Sequence, residues 1–154
     1  MKQIDCRPDG RGRKVAVAVA RFNRRVTELM WEGCRRTLEE HGVEDLTLVR
    51  VPGAFELPLS CRWLVASGRY DGVIALGAVI RGQTAHFDFI SAECTRGLGQ
   101  VALESAIPVA FGVLTAEDGE QALERADPER KNKGREAALA ALEMIALGAE
   151  IRRG

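Results

Sequence analysis

Several things are scarce in this chain of 154 residues, and each scarcity excludes a class of protein. No stretch approaches the roughly 18 consecutive apolar residues of a membrane-crossing helix, and the opening "MKQIDCRPDGRGRK" has no apolar run of the kind a secretory signal carries. A soluble, unexported, cytoplasmic protein is expected. Net charge is absent too: 22 Lys and Arg balance 22 Asp and Glu, so no field draws the protein to nucleic acid or to an anionic membrane. The four cysteines, Cys6, Cys34, Cys61 and Cys94, form no CxxC pair, and the last three lie within apolar patterns where cysteine behaves as a small hydrophobe. Reduced thiols are expected. Two histidines and no clustered acids leave no plausible set of metal ligands. There is no internal repeat, low-complexity segment or linker, and a chain of this length, 46% hydrophobic, accommodates one domain spanning 1–154 around one core.

What is present is a regular alternation. "VAVAVA" (Val15 to Ala20) is short, continuously apolar and β-branched, the pattern of a strand buried on both faces of a parallel sheet. Val26, Leu29, Met30, Gly33, Cys34, Thr37 and Leu38 then recur at helical spacing, with Gly42 as a stop. "LTLVRV" (Leu46 to Val51) is a second strand, broken by Pro52 and Gly53. A helix from near Pro58 to Gly68 follows, its apolar side assigned to Leu59, Cys61, Leu64 and Val65. "GVIALGAVI" (Gly72 to Ile80) is a third strand, with a helical pattern from about Asp88 to Glu104, and "IPVAFGVLT" (Ile107 to Thr115) is the fourth. Two helices close the chain, about Asp118 to Ala126 and Asn132 to Gly148, separated by "DPERKNK". Such alternation implies right-handed crossovers and a three-layer, flavodoxin-like α/β sandwich: a four-stranded parallel sheet with helices on both faces. The last helix is apolar at nearly every position from Ala137 to Leu147. Either a second subunit covers the excess, or alanine is there only as a helix former.

Ligands of open parallel sheets bind beyond the carboxyl ends of the strands. The segments that follow the four strands are "RFNRRVT" with Phe22 and Asn23, "PGAFELP" with Ala54, Phe55 and Glu56, "RGQTAHFDF" after Val79 and Ile80, and "TAEDGEQALERAD" with Arg125. Singly these residues have ordinary readings: aromatics in the core, a structural histidine at His86, solvated charges at Arg125 and Lys133. Together they suit a small phosphate ester and a planar polyhydroxylated molecule. Gly82, Gln83 and Thr84 at a helix start offer close backbone approach, N–H donors and a hydroxyl to a phosphate. An arginine from elsewhere completes the clamp, His86 moves protons nearby at neutral pH, Glu56 suits hydroxyl groups and a phenylalanine face suits a heterocycle. Phe87 and Phe89 are expected to pack into the core. Arg81 has no chemistry assigned, and a structural or interface ion pair is expected of it.

"RFN", "VPGAFELP", "GAVIRGQTAHFDF", "FGVLT" and "ERA…NKGREAA" occur here in the order, and at nearly the spacing, found in the lumazine synthase family, which this chain resembles from about Val15 to Met144. The resemblance implies condensation of 5-amino-6-ribitylamino-2,4-pyrimidinedione with 3,4-dihydroxy-2-butanone 4-phosphate to 6,7-dimethyl-8-ribityllumazine, with no cofactor. It implies that Phe22 stacks on the pyrimidine with Asn23 nearby, that Ala54, Phe55 and Glu56 hold the ribityl chain, and that the backbone of Val79 and Ile80 binds the ring edge. Gln83, Thr84 and Arg125 would take the phosphate, and His86 would be the general acid/base. Phe111 and Lys133 would complete the pocket, and Phe111, Arg125 and Lys133 would come from the neighbouring subunit of a pentamer. Riboflavin synthase, which consumes the lumazine, is the protein partner the resemblance implies.

The chain also departs from the family pattern. In members that build icosahedral shells the link between the last two helices is small and contains glycine, whereas here Asp127, Pro128, Glu129 and Arg130 stand in it. Residues 1–14, expected to contact a neighbouring subunit, contain Pro8 and Gly10, and proline cannot donate to a strand ladder. A pentamer or a larger assembly of pentamers is expected. Three rival readings make distinct demands. An archaeal-type riboflavin synthase would not be expected to combine "RFN", "AFE" and "TAHFDF". A non-catalytic flavin-binding or scaffold protein would lack a catalytic group, and an electron carrier would need a phosphate loop where "RFNRR" stands.

Overall fold

A computed structural model describes residues 1–154. Four strands and five α-helices alternate: β1 (Lys14–Ala20), α1 (Arg24–Glu40), β2 (Asp45–Val51), a single 3-10 turn (Ala54–Glu56) leading into α2 (Leu57–Ala66), β3 (Gly72–Ile80), α3 (His86–Ser105), β4 (Val109–Ala116), α4 (Gly119–Ala126) and α5 (Lys133–Arg153). The strands form one sheet in the order β2-β1-β3-β4, every pair parallel. This is the flavodoxin-like sandwich expected. β2 and β4 are its free edges.

The alternation along each strand divides the core in two. On one face Val15, Val17 and Val19 of β1, with Ile74 and Leu76 of β3, meet α1, α4 and α5 through Met30, Cys34, Ala122, Ala138 and Leu142. On the other, Ala16, Ala18, Val73 and Ala75 meet α2 and α3 through Leu57, Cys61, Cys94 and Leu98. The central strands carry side chains into both clusters, which is why they read as unbroken apolar runs. Gly42 and Gly68 stop their helices as expected, at φ 93° and 70°, a left-handed conformation that costs glycine little, whereas α5 runs through Gly148 to Arg153. No helix is long and apolar enough to cross a membrane.

Two core assignments are corrected. Leu59 does not lie on the buried side of α2; it is 52% exposed, and the buried set is Leu57, Ser60, Cys61, Leu64 and Val65. Phe89 does not pack into the core but is 72% exposed, while Phe87 does pack against the α2–α3 cluster. In α5 the sheet-facing stripe is Ala137, Ala138, Ala141, Leu142 and Ile145, and Met144 is exposed. Within the N-terminal segment, the Gly10 N–H donates to the His41 carbonyl at 2.8 Å, so Gly10 is buried against the chain's own α1–β2 turn.

Cys34, Cys61 and Cys94 are buried and free, and loss of hydration pushes their thiols up to about 12, about 12 and about 11. Only the thiolate reacts. A thiol reagent at pH 8 is therefore expected to titrate Cys6 alone in the native protein and all four thiols after denaturation. Rapid native reaction of more than one thiol per chain would contradict this burial.

Candidate active site

Where β1, β2 and β3 end, their following segments enclose an open cleft of about 570 Å³. Its walls include Phe22, Asn23, Ala54, Phe55, Glu56, Val79, Ile80 and His86, together with Ile90 of α3. Short backbone ties build it. Arg21 and Phe22 donate to the carbonyls of Val51 and Pro52 at 2.8 and 3.0 Å, holding the end of β1 against the end of β2. Asn23 adopts the left-handed conformation (φ 61°), which asparagine tolerates better than most residues, and its carbonyl accepts from Val26 and Thr27 to begin α1. Its side-chain Nδ2 donates to the Ala78 carbonyl at 2.8 Å, tying this turn to β3. Asn23 thus shapes the cleft by holding its turn, and Phe22 beside it projects outward, 72% exposed.

The 3-10 turn carries Phe55 and Glu56 to the opposite wall. The Glu56 N–H donates to Gly53 at 3.2 Å, and its carboxylate lies over Gly53, so close that a Cβ there would stand 3.3 Å from Oε2. No group of the chain hydrogen-bonds or pairs with that carboxylate, which is exposed at the cleft. His86 opens α3 with its ring unengaged, while its N–H donates to Thr84 Oγ1 at 3.3 Å. Gln83 and Thr84 are exposed on the loop before it, at the N-terminus of a 20-residue helix, where the helix dipole favours an anion, although the N–H groups of His86, Asp88 and Phe89 are already bonded to Thr84 and Ala85.

Phe111, Arg125 and Lys133 are not in this cleft. They share a second one of about 450 Å³ along the free edge of β4, against α4 and α5. Phe111 is 48% exposed there, Arg125 donates only to the Gln121 carbonyl (3.3 Å), and the Lys133 ammonium pairs with Glu136 at 2.9 Å. The intervening turn, Asp127 to Asn132, is closed by bonds from Arg130 and Asn132 to the Asp127 carbonyl, and Asn132 (φ 47°) caps α5 by accepting from Arg135 at 3.1 Å. One chain therefore brings together Phe22, Asn23, Ala54, Phe55, Glu56, Val79, Ile80 and His86, and holds apart from them Phe111 and Lys133, expected to complete the substrate pocket, and Arg125, expected on the phosphate. Sequence reasoning did not single out Glu136, although its position three residues after Lys133 is an ion-pair spacing, nor Ile90, which carries no chemical signal at all.

A cleft at the carboxyl ends of parallel strands, lined by aromatic faces and a few unpaired polar groups, defines an α/β protein acting on small molecules. Comparison with known families is more specific. The 6,7-dimethyl-8-ribityllumazine synthase family matches residues 12–149, from before β1 through most of α5, and the chain belongs to that family. Its members are transferases of riboflavin biosynthesis.

Proposed function

We propose that this chain condenses 5-amino-6-ribitylamino-2,4-pyrimidinedione with 3,4-dihydroxy-2-butanone 4-phosphate to give 6,7-dimethyl-8-ribityllumazine, phosphate and water. The observation that carries this reading is the sorting of the candidate residues into two clefts, each chemically coherent and each incomplete. The β1–β3 cleft has the aromatic face (Phe22), the hydroxyl acceptor (Glu56) and the proton-transfer group (His86), and the exposed loop leading to His86 carries Gln83 and Thr84 for a phosphate. The β4 edge has a half-buried arginine without a carboxylate partner, a lysine and an aromatic (Arg125, Lys133, Phe111). Juxtaposing the first surface of one copy with the second of its neighbour completes the site. Contact between two different surfaces is heterologous, the type of contact from which closed rings are built. Taken with the pentamer that the family resemblance implies, the reading is a cytoplasmic homopentamer with active sites between subunits.

In this site Phe22 holds the pyrimidine by its face, the Val79 and Ile80 backbone holds its edge, and Ala54, Phe55 and Glu56 hold the ribityl chain. Gln83, Thr84 and Arg125 orient the phosphate ester so that its ketone faces the 5-amino group. That amine attacks the carbonyl, water leaves to give an imine, and phosphate is eliminated. The second attack, by the ribitylamino nitrogen, closes the ring with loss of a further water. His86 takes and returns the protons. Holding two substrates face to face is itself worth roughly 7 to 11 kcal/mol.

His86→Ala is accordingly expected to lower kcat by about a hundredfold, at the lower end for a general acid/base, and to leave measurable turnover. Complete loss with both substrates still bound would assign His86 a larger part. The function itself is tested by following lumazine absorbance from the two substrates, with native mass for the assembly. Formation of riboflavin from lumazine alone would assign the other activity of this fold, and a fully active monomer would overturn the shared site.

A further inference from the structure

Arg81 is the first residue beyond β3, and its backbone and side chain act on different neighbours. Its N–H donates to the Ala116 carbonyl at 2.9 Å, extending the pairing of β3 with β4 by one step. Its guanidinium reaches forward along the chain. Nε donates to Glu117 Oε2 at 2.8 Å, a terminal nitrogen lies 3.5 Å from Asp88 Oδ1, and Cζ stands 4.3 Å from the centroid of the Phe87 ring. The residues between, Gly82 to His86, are exposed. Their own ties are few: the Thr84–His86 bond, and the Asp88 and Phe89 N–H groups on the Ala85 carbonyl. A Cβ added at Gly82 would touch nothing. The loop bearing Gln83, Thr84 and His86 therefore begins at Arg81 and ends on the turn that the same side chain grips.

We propose that Arg81 is a positioning residue for the phosphate-bearing substrate, a clamp that fixes the Gly82–His86 loop against the start of α3 so that Gln83 and the Thr84 hydroxyl converge on one phosphate. This rests on the function proposed above. Two simpler roles fit the geometry poorly. A direct phosphate ligand would have to exchange two carboxylate partners for the substrate. A prop for the whole fold would not sit at the surface, where the side chains of Arg81, Asp88 and Glu117 are 41, 62 and 62% exposed and ion pairs add little to global stability. The arrangement also requires arginine in particular. A planar fork addresses two carboxylates while its face rests on a ring, whereas an ammonium is a single point charge.

The test compares the wild type with Arg81→Gln and Arg81→Lys, measuring kcat, a separate KM for each substrate, and thermal melting. Arg81→Gln is expected to melt within a few degrees of the wild type while KM for the butanone phosphate rises about ten- to a hundredfold. KM for the pyrimidine should stay within about twofold, and Arg81→Lys should fall between. Unchanged kinetics, an equal rise in both KM values, or a lysine variant equal to the wild type would overturn the clamp. If Arg81→Gln does not fold, Arg81→Lys must show the same split in KM. Titration with inorganic phosphate, read from the His86 ring resonances, separates this inference from the activity. Weaker phosphate binding by the variant upholds the clamp even in a chain that forms no lumazine, and equal binding refutes it.

Discussion

Two variants of this chain, each nearly inactive alone, are expected to restore activity when they assemble together. Arg125→Ala with Lys133→Ala strips the β4-edge cleft of its cations, and Phe22→Ala with Glu56→Ala strips the β1–β3 cleft of its ring and hydroxyl contacts. All four side chains are exposed or half-buried, so the chains should fold. A hydrogen bond to a charged group contributes about 1.5 to 3 kcal/mol, so losing two should cost roughly a hundredfold or more in kcat/KM. If each site takes one cleft from each of two neighbours, mixing the variants in equal amounts in a closed ring leaves about one interface in four with both clefts intact. Co-expressed variants should therefore recover about a quarter of the wild-type rate. Recovery no greater than the sum of the two variants, in assemblies shown by mass to be mixed, would mean that each chain builds its site alone.

The second large effect concerns folding. Gly134 lies in the first turn of α5, and a Cβ there would fall deep inside the van der Waals radius of the Met30 carbonyl oxygen of α1 and 3.0 Å from the Cys34 nitrogen. A Cβ at Gly33, one turn further along α1, would likewise run into Asn132 Oδ1, the group that caps α5. The two helices touch backbone to backbone. No side-chain rotation relieves a collision with a carbonyl, so Gly134→Ala must push the helices apart, at about 3 kcal/mol or more. For a chain of this size that lowers Tm by roughly 6 to 12 °C. It would also shift Lys133, one residue away in the second cleft. Gly99→Ala, within α3 with nothing near its added Cβ, should instead raise stability by about 0.5 to 1 kcal/mol. A Gly134→Ala melting point within 2 °C of the wild type would contradict the close crossing.

Much of the fold was legible because its signals are local. Strands buried on both faces must be apolar at successive positions, and the β1 and β3 runs could be read almost to their ends. The same locality made the first cleft readable: each of its polar residues follows a strand directly, and a parallel sheet carries all such segments to one end. The exposure of Leu59 was not legible, for the opposite reason. α2 is short and apolar around most of its circumference, so spacing alone could not say which side meets the sheet. That choice is made by α3, which approaches so closely at Gly97 that a Cβ there would stand 2.8 Å from the Pro58 ring.

By itself, then, the sequence determined the alternation of elements, the parallel sheet, the family and the identity of the groups at the carboxyl ends of the first three strands, all of which depend on residues close together in the chain. Tertiary structure alone decided the rest. It placed Phe111, Arg125 and Lys133 in a second cleft, because the turn from Asp127 to Asn132 and the glycine crossing of α1 and α5 hold them at the free edge of β4. It turned Asn23 into a tie between β1 and β3, and it gave Arg81 a set of partners at Phe87, Asp88 and Glu117. Contacts between elements distant in the chain depend on how helices seat on the sheet, and no periodicity in a single segment encodes that.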